Sequence, residues 1–356
     1  MTTKKILPTL LSIALSILLS GCSSENDDAV RTGKGTAVIV PTATINIPQV
    51  FLSRANDLSG VVSGKTFPKD TKNVFAVTAY RGNAVPTKDY DKTYFHNQSV
   101  DANGMGEMAF STPQRYPKTD NLYFYAYSPV MPTATVGVGY KSNGSAAPTV
   151  TFNIEDNKLT DILWARNVDG IAWAGSGATN QKHPSFVFEH MLQQLRFKFV
   201  KGIGFNTGWK VTNISVTGNP TSPSDEDNML KRTATLNLIE GTMKYEGSGN
   251  AVQTLGNLSC EVKDAADAKE IAECFLTRPI KNVTLTITCD MNPGGSPAIQ
   301  IYKADVELNG TQTDKGGKLY LVTIELRSGL EVKITVEENN WQVRQLEEQT
   351  IGGPKS

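Results

Sequence analysis

Three histidines in 356 residues leave too few imidazoles for a His-rich metal centre. Charge of one sign is also missing: 35 Lys+Arg stand against 35 Asp+Glu, so the chain carries no basic footprint for nucleic acid, and that partner is excluded. Cysteine is scarce, and Cys22, Cys260, Cys274 and Cys289 match no metal-site spacing. No GxSxG elbow, HExxH, CxxC or phosphate-cradling glycine loop is present. These absences leave no catalytic residue, no metal and no cofactor to nominate. The apolar stretch from Ile6 to Leu19 is 14 residues long, too short to span a bilayer.

That stretch has another reading. It follows Lys4 and Lys5 and runs into Leu19-Ser20-Gly21-Cys22, the layout of a signal peptide whose end resembles the bacterial lipobox. Residues 1–21 are then expected to be removed and Cys22 to carry acyl chains, each buried methylene contributing about 0.8 kcal/mol to membrane attachment. Removal takes Lys4 and Lys5 away and leaves an excess of two acidic side chains. Residues 22–34 begin Cys22-Ser23-Ser24-Glu25-Asn26-Asp27-Asp28, too polar to bury anything, and read as a solvated tether. The same acidic run resembles the signal that sends some lipoproteins to the outer face of the outer membrane.

Beyond the tether, alternation with period two dominates. Tyr320, Val322, Ile324 and Leu326 alternate with Leu321, Thr323 and Glu325, and after Arg327-Ser328-Gly329 the pattern resumes with Leu330, Val332, Ile334 and Val336, which predicts a β-hairpin. Val150, Phe152 and Ile154 form a second run, and Val283, Leu285, Ile287 and Cys289 a third. In the 122–127 run, Tyr123, Tyr125 and Tyr127 share one face and Leu122, Phe124 and Ala126 the other, as in a strand covered on both sides. Phe186, Phe188, His190 and Leu192 share one parity while Leu195, Phe197 and Phe199 share the next. A β-bulge or a strand changing sheets is expected between them. Only 264–274 (DAADAKEIAEC) has helical content. The Gly/Ala/Asn-rich segment 167–184 lacks alternation, so the boundary is set at its end. The fold expected is all-β, with an N-terminal sandwich over 35–183, a C-terminal one over 184–341, and a poorly ordered tail over 342–356.

Of the remaining candidates, His190 falls on an apolar parity and reads as a core histidine, and His96 reads as a loop residue. Asp225-Glu226-Asp227 reads as a solvated acidic loop. Cys274 and Cys289 sit in apolar runs and read as buried thiols, with one disulfide among the three body cysteines left open. Trp164 reads as core, whereas Trp173 and Trp209, beside glycines, are expected to be the exposed tryptophans.

Four stretches taken in order resemble the fimbrillin family, the Mfa-like and FimA-related pilins and pilus-associated lipoproteins. They are Tyr123 to Pro129 (YFYAYSP), Asp161 to Ala165 (DILWA), Phe186 to Leu192 (FVFEHML), and Gly317-Lys318-Leu319-Tyr320 running on to Trp341. The resemblance implies two tandem transthyretin-like β-sandwiches and no catalysis. It also implies a surface-exposed outer-membrane lipoprotein that assembles with other fimbrial subunits and meets host or bacterial surface ligands. In that family an N-terminal strand is displaced after a trypsin-like protease cuts behind an arginine. Arg54-Ala55 matches that position, with Arg31 as runner-up, and Ala37, Ile39, Ala43, Ile45 and Ile47 share the parity of the displaced strand. Burying its three isoleucines contributes about 5–9 kcal/mol before ordering entropy. Pro41 and Pro48 suit an edge strand. The competing expectation is a surface glycan-binding lipoprotein of a nutrient-uptake system, which needs Trp173 or Trp209 in an exposed aromatic platform.

Overall fold

Val, Ile, Thr, Tyr and Phe at period two build pleated segments with one or two apolar faces, and the chain folds as strand after strand. The computed structural model describes residues 37–45, 67–87, 92–105, 107–133, 139–143, 146–154, 161–176, 178–206, 208–308 and 316–340. The expectations for Cys22, Ile47, Arg54, Ala55, Trp341 and the 342–356 tail lie outside these residues.

The first nine strands are β1 (Thr42–Ile45), β2 (Thr71–Gly82), β3 (Thr93–Ala102), β4 (Met108–Phe110), β5 (Asn121–Ser128), β6 (Gly139–Asn143), β7 (Ala146–Asn153), β8 (Leu163–Ile171) and β9 (Ser185–His190). Then come β10 (Gln193–Lys201), β11 (Lys210–Gly218), β12 (Thr233–Asn237), β13 (Thr242–Glu246), β14 (Val252–Leu255) and β15 (Cys260–Glu261). The last are β16 (Glu270–Thr277), β17 (Asn282–Asp290), β18 (Ile299–Glu307), β19 (Lys318–Leu326) and β20 (Val332–Asn340). They form a seven-stranded sheet in the order β1-β9-β8-β5-β2-β3-β4, a sheet β16-β10-β19-β20, a sheet β14-β11-β17-β18 with β15 beside β11, and a sheet β13-β12-β7-β6.

Three apolar clusters hold these sheets together. One face of the seven-stranded sheet, through Phe75, Phe124, Phe186 and Phe188, packs on Ile39, Ile45 and Phe67. Its other face, through Tyr80, Tyr123, Tyr125, Tyr127 and Trp164, packs on Tyr140, Phe152, Ala234 and Leu236. The third cluster lies between β10/β16/β19 and β11/β17/β18, where Phe197, Phe199, Tyr320 and Val322 meet Val216, Leu285, Ile287 and Tyr302. β5 is covered on both sides, as its two apolar parities require, and the hairpin β19–β20 pairs Leu326 with Val332 and Tyr320 with Glu338.

The structure decides one alternative that the sequence left open and differs from four other expectations. The parity change after Leu192 is a strand changing sheets: β9 ends at His190 in the seven-stranded sheet, and β10 begins at Gln193 in another. β9 therefore belongs with the N-terminal strands, beyond the boundary set at residue 183. Nor are the cores separate. β7 pairs with β12 from Asn153↔Thr233 to Thr149↔Asn237, so hairpins from both halves make one sheet, and the middle cluster also takes in Leu192, Leu276, Leu319 and Leu321. Side by side in one sheet, the two hairpins present Tyr140, Val150, Phe152, Ala234 and Leu236 together to the tyrosine face of the seven-stranded sheet.

The helix expected over 264–274 is replaced by a turn, in which the Asp267 and Ala268 amides donate to the Asp264 carbonyl, followed by β16. Ile271 and Phe275 enter one core while Cys274 and Leu276 enter another, a two-sided burial that only a strand provides, and it overrides a weak helical preference. His96 lies on β3, exposed, with its ring stacked 5.9 Å from Tyr140.

Candidate functional site

The segment from Ala37 to Ile45 runs along the margin of the first core and changes partners midway. Its first part is antiparallel to residues 114–116: the Ile39 amide donates to Gln114 O (2.8 Å) and the Tyr116 amide to Ala37 O (3.2 Å). Its second part is β1, parallel to β9 over Thr42↔Ser185 to Ile45↔Phe188, with the Thr42 amide on Pro184 O at 2.9 Å. Between the two ladders Pro41 has no amide to offer. The remaining donor, Val40 N–H, meets His183 Nδ1 at 3.2 Å.

The side chains follow the parity read from the sequence. Ile39 and Ile45 are 1% and 3% exposed, and Ala37 and Ala43 pack against the same core, while Val38 and Val40 face out. β1 is the edge of its sheet and only four residues long. A cleft of about 770 Å³ opens beside the segment, between Val38–Ala43 and the β3–β4 turn. Met108, Phe110 and Pro113 contribute apolar lining, and Asp70, Asp101 and Glu107 contribute carboxylates. Two of these acids already have partners: Asp101 Oδ1 accepts the Asn73 amide (2.8 Å) and Glu107 Oε2 accepts from Asn103 Nδ2 (2.8 Å).

The other nominated residues have structural duties. His190 is buried with its Nδ1 2.8 Å from Asp161 Oδ2, and the Asp161 side chain is sealed from solvent. Asp225 Oδ2 accepts from the Thr221 amide, the Thr221 hydroxyl and Asn228 Nδ2, and these hydrogen bonds hold its carboxyl below the usual range. Glu226–Asn228 form a 3-10 turn, and Glu226 reaches Lys231 Nζ at 3.4 Å. Trp164 is buried, donating Nε1–H to Leu238 O at 2.8 Å. Its six-membered ring lies 2.6 Å from where a Cβ on Gly241 would stand, and Gly241 has φ of 69°, so the β12–β13 turn requires glycine there.

Trp173 and Trp209 correct the expectation of exposed tryptophans. Trp173 is half-buried against the first core, and Trp209 packs on Phe205 with ring centroids 4.4 Å apart. A large ring beside a loop gains more from covering the open end of a core than from facing water. They form no aromatic platform. Cys260, Cys274 and Cys289 are all free thiols. Burial pushes Cys274 up to about 11 and Cys289 to about 12, so neither is a thiolate at neutral pH.

Four of the sequence stretches quoted for their resemblance converge in this fold. YFYAYSP is the doubly covered β5, DILWA supplies Asp161 and Trp164, FVFEHML supplies β9 and His190, and Gly317 donates its amide to Leu192 O at 2.7 Å. The family model described as fimbrillin-like matches residues 61–341. The chain belongs to the fimbrillin-like family. A fimbrial protein from Bacteroides vulgatus has a similar fold at a TM-score of 0.56 and 14% identity, covering 85% of this chain and 100% of that one. A candidate cell adhesion protein from Bacteroides ovatus gives 0.51 at 15% identity, covering 87% and 100%. The comparison with curated proteins finds no match.

The burial parity of the fimbrillin-like chain's Ala37–Ile45 segment is legible in the sequence, but what holds the segment is not. Tyr116 and His183 gave no signal, because the Val40–His183 contact joins residues 143 apart with no pattern linking them.

Proposed function

We propose that the chain is a non-catalytic structural or adhesive subunit of a surface fimbrium, held at the outer membrane by lipid on Cys22. It joins other fimbrial subunits by strand exchange once a trypsin-like protease cuts between Arg54 and Ala55. The supporting observation is the Ala37–Ile45 segment. Its isoleucines cover the apolar face of the first core, yet it is held by a four-residue edge strand, a short ladder to residues 114–116 and the Val40–His183 contact. Removing it leaves unpaired β9 backbone and bare apolar surface, which an incoming extended strand repairs by β-augmentation. Surface ligands on host or bacterial cells are the expected partners of an adhesive member.

Limited trypsin treatment of the folded protein, followed by N-terminal sequencing and sizing, tests the exchange step. Cleavage after Arg54 with growth of higher oligomers is expected. An Arg54 that resists trypsin, or a cut chain that stays monomeric, rejects it. Radiolabelled palmitate is expected to enter the wild type and not Cys22→Ser, and equal labelling of the two removes the anchor.

A further inference from the structure

The Val40 amide is the one main-chain donor at the changeover between the two ladders that hold the N-terminal segment, and it is satisfied by an imidazole. His183 Nδ1 can accept that hydrogen bond only when it carries no proton; the imidazolium has N–H on both nitrogens and accepts nothing. His183 is half-buried, so its ring stays within reach of solvent protons. The Tyr116 ring packs against it with centroids 6.1 Å apart, and the Tyr116 hydroxyl donates to Lys182 O at 2.7 Å, which keeps the ring beside Val40.

We propose that His183 is an acid-released clasp: its neutral imidazole holds the Val40 amide, and protonation loosens the Ala37–Ile45 segment and readies it for displacement. The consequence for assembly rests on the strand-exchange reading above, whereas the clasp itself does not. Burial of the ring favours the neutral, clasping state. The segment from Ala37 to Ile45 has no titratable side chain, and the neighbouring strip and loop bring the cationic Arg115 and Lys182, together with the neutral Tyr116 and Gln181. Burial lowers the His183 pKa from its ordinary value. A histidine lowered in the folded state stabilises that state above its ordinary pKa near 6.5, and the contribution is lost as pH falls through the folded value. The clasp therefore holds at neutral pH and opens on acidification.

Hydrogen exchange of the uncleaved protein, followed at Val40 and corrected for the intrinsic effect of pH, tests the clasp directly. Between pH 7.5 and 5.0 protection at Val40 is expected to fall roughly three- to tenfold, the worth of one hydrogen bond, while β17 amides in the third cluster stay constant. His183→Asn offers a carbonyl acceptor near the Nδ1 position that does not titrate, and its protection is expected to be independent of pH. His183→Ala is expected to exchange fast at both ends of the range. Protection that does not change with pH in the wild type, or an equal pH dependence in His183→Asn, overturns the proposal. A clasp that opens in acid in a chain that never oligomerises after cleavage rejects strand exchange and leaves the clasp standing. Oligomerisation with protection independent of pH does the reverse.

Discussion

Cys260 and Cys289 both pair with Val211, one from β15 and one from β17. Two strand spacings therefore separate them, about 9–10 Å, beyond the roughly 7 Å over which a disulfide can close. Cys274 lies in a different sheet. The disulfide that sequence left open is thus closed off by geometry, and an odd count of body cysteines is explained by three free thiols. With Cys22→Ser to remove the lipid position, Ellman's reagent is expected to count three thiols in denaturant. In the folded protein Cys260, the one partly exposed, is expected to react slowly and Cys274 and Cys289 not at all. Rapid native labelling of Cys274 contradicts this assignment. Asp161 and His190 show the same scale of logic: each lies in a stretch that looks merely apolar, and only their 2.8 Å approach explains two ionisable groups in a core.

The N-terminal segment is where element-level energetics decide behaviour. Ile45 is buried and Val187, opposite Thr44 on β9, is 54% exposed. Ile45→Ala and Ile39→Ala are each expected to destabilise the protein by about 2–4 kcal/mol, because transfer and cavity losses add. Val187→Ala is expected to stay within about 0.5 kcal/mol. Denaturant midpoints at unchanged slope make the comparison, and equal effects from Val187 and Ile45 refute the assigned parity. This element was readable in advance since alternation reports which face is buried. Its pairing was not. A parallel partner in β9 lies far along the chain, and nothing in period two names a partner.

At the scale of the whole molecule, sharing sets the cooperativity. The sheet β13-β12-β7-β6 takes one hairpin from each half, and the middle cluster draws on β2, β5, β16 and β19 together. Unfolding either half strips the cover from that cluster, so the body is expected to melt as one unit. Calorimetry is expected to show a single transition with matching calorimetric and van't Hoff enthalpies. Leu236→Ala, in the middle cluster, is expected to lower that transition without splitting it. Two resolved transitions reject the shared core.

The sequence alone determined the class and much of the wiring. Alternation identified the hairpin β19–β20, the double cover of β5 and the break in parity after β9, because each is a local matter of which side chains avoid water. Tertiary structure decided the rest. It made a strand of a helix-prone segment at β16, turned Trp173 and Trp209 onto cores, merged two expected sandwiches through β7 and β12, and set His183 against Val40. The physical reason is common to all four. Burial of a face is written in the spacing of residues along one strand, but the partner that buries it is selected by how distant surfaces fit, and no local pattern carries that information.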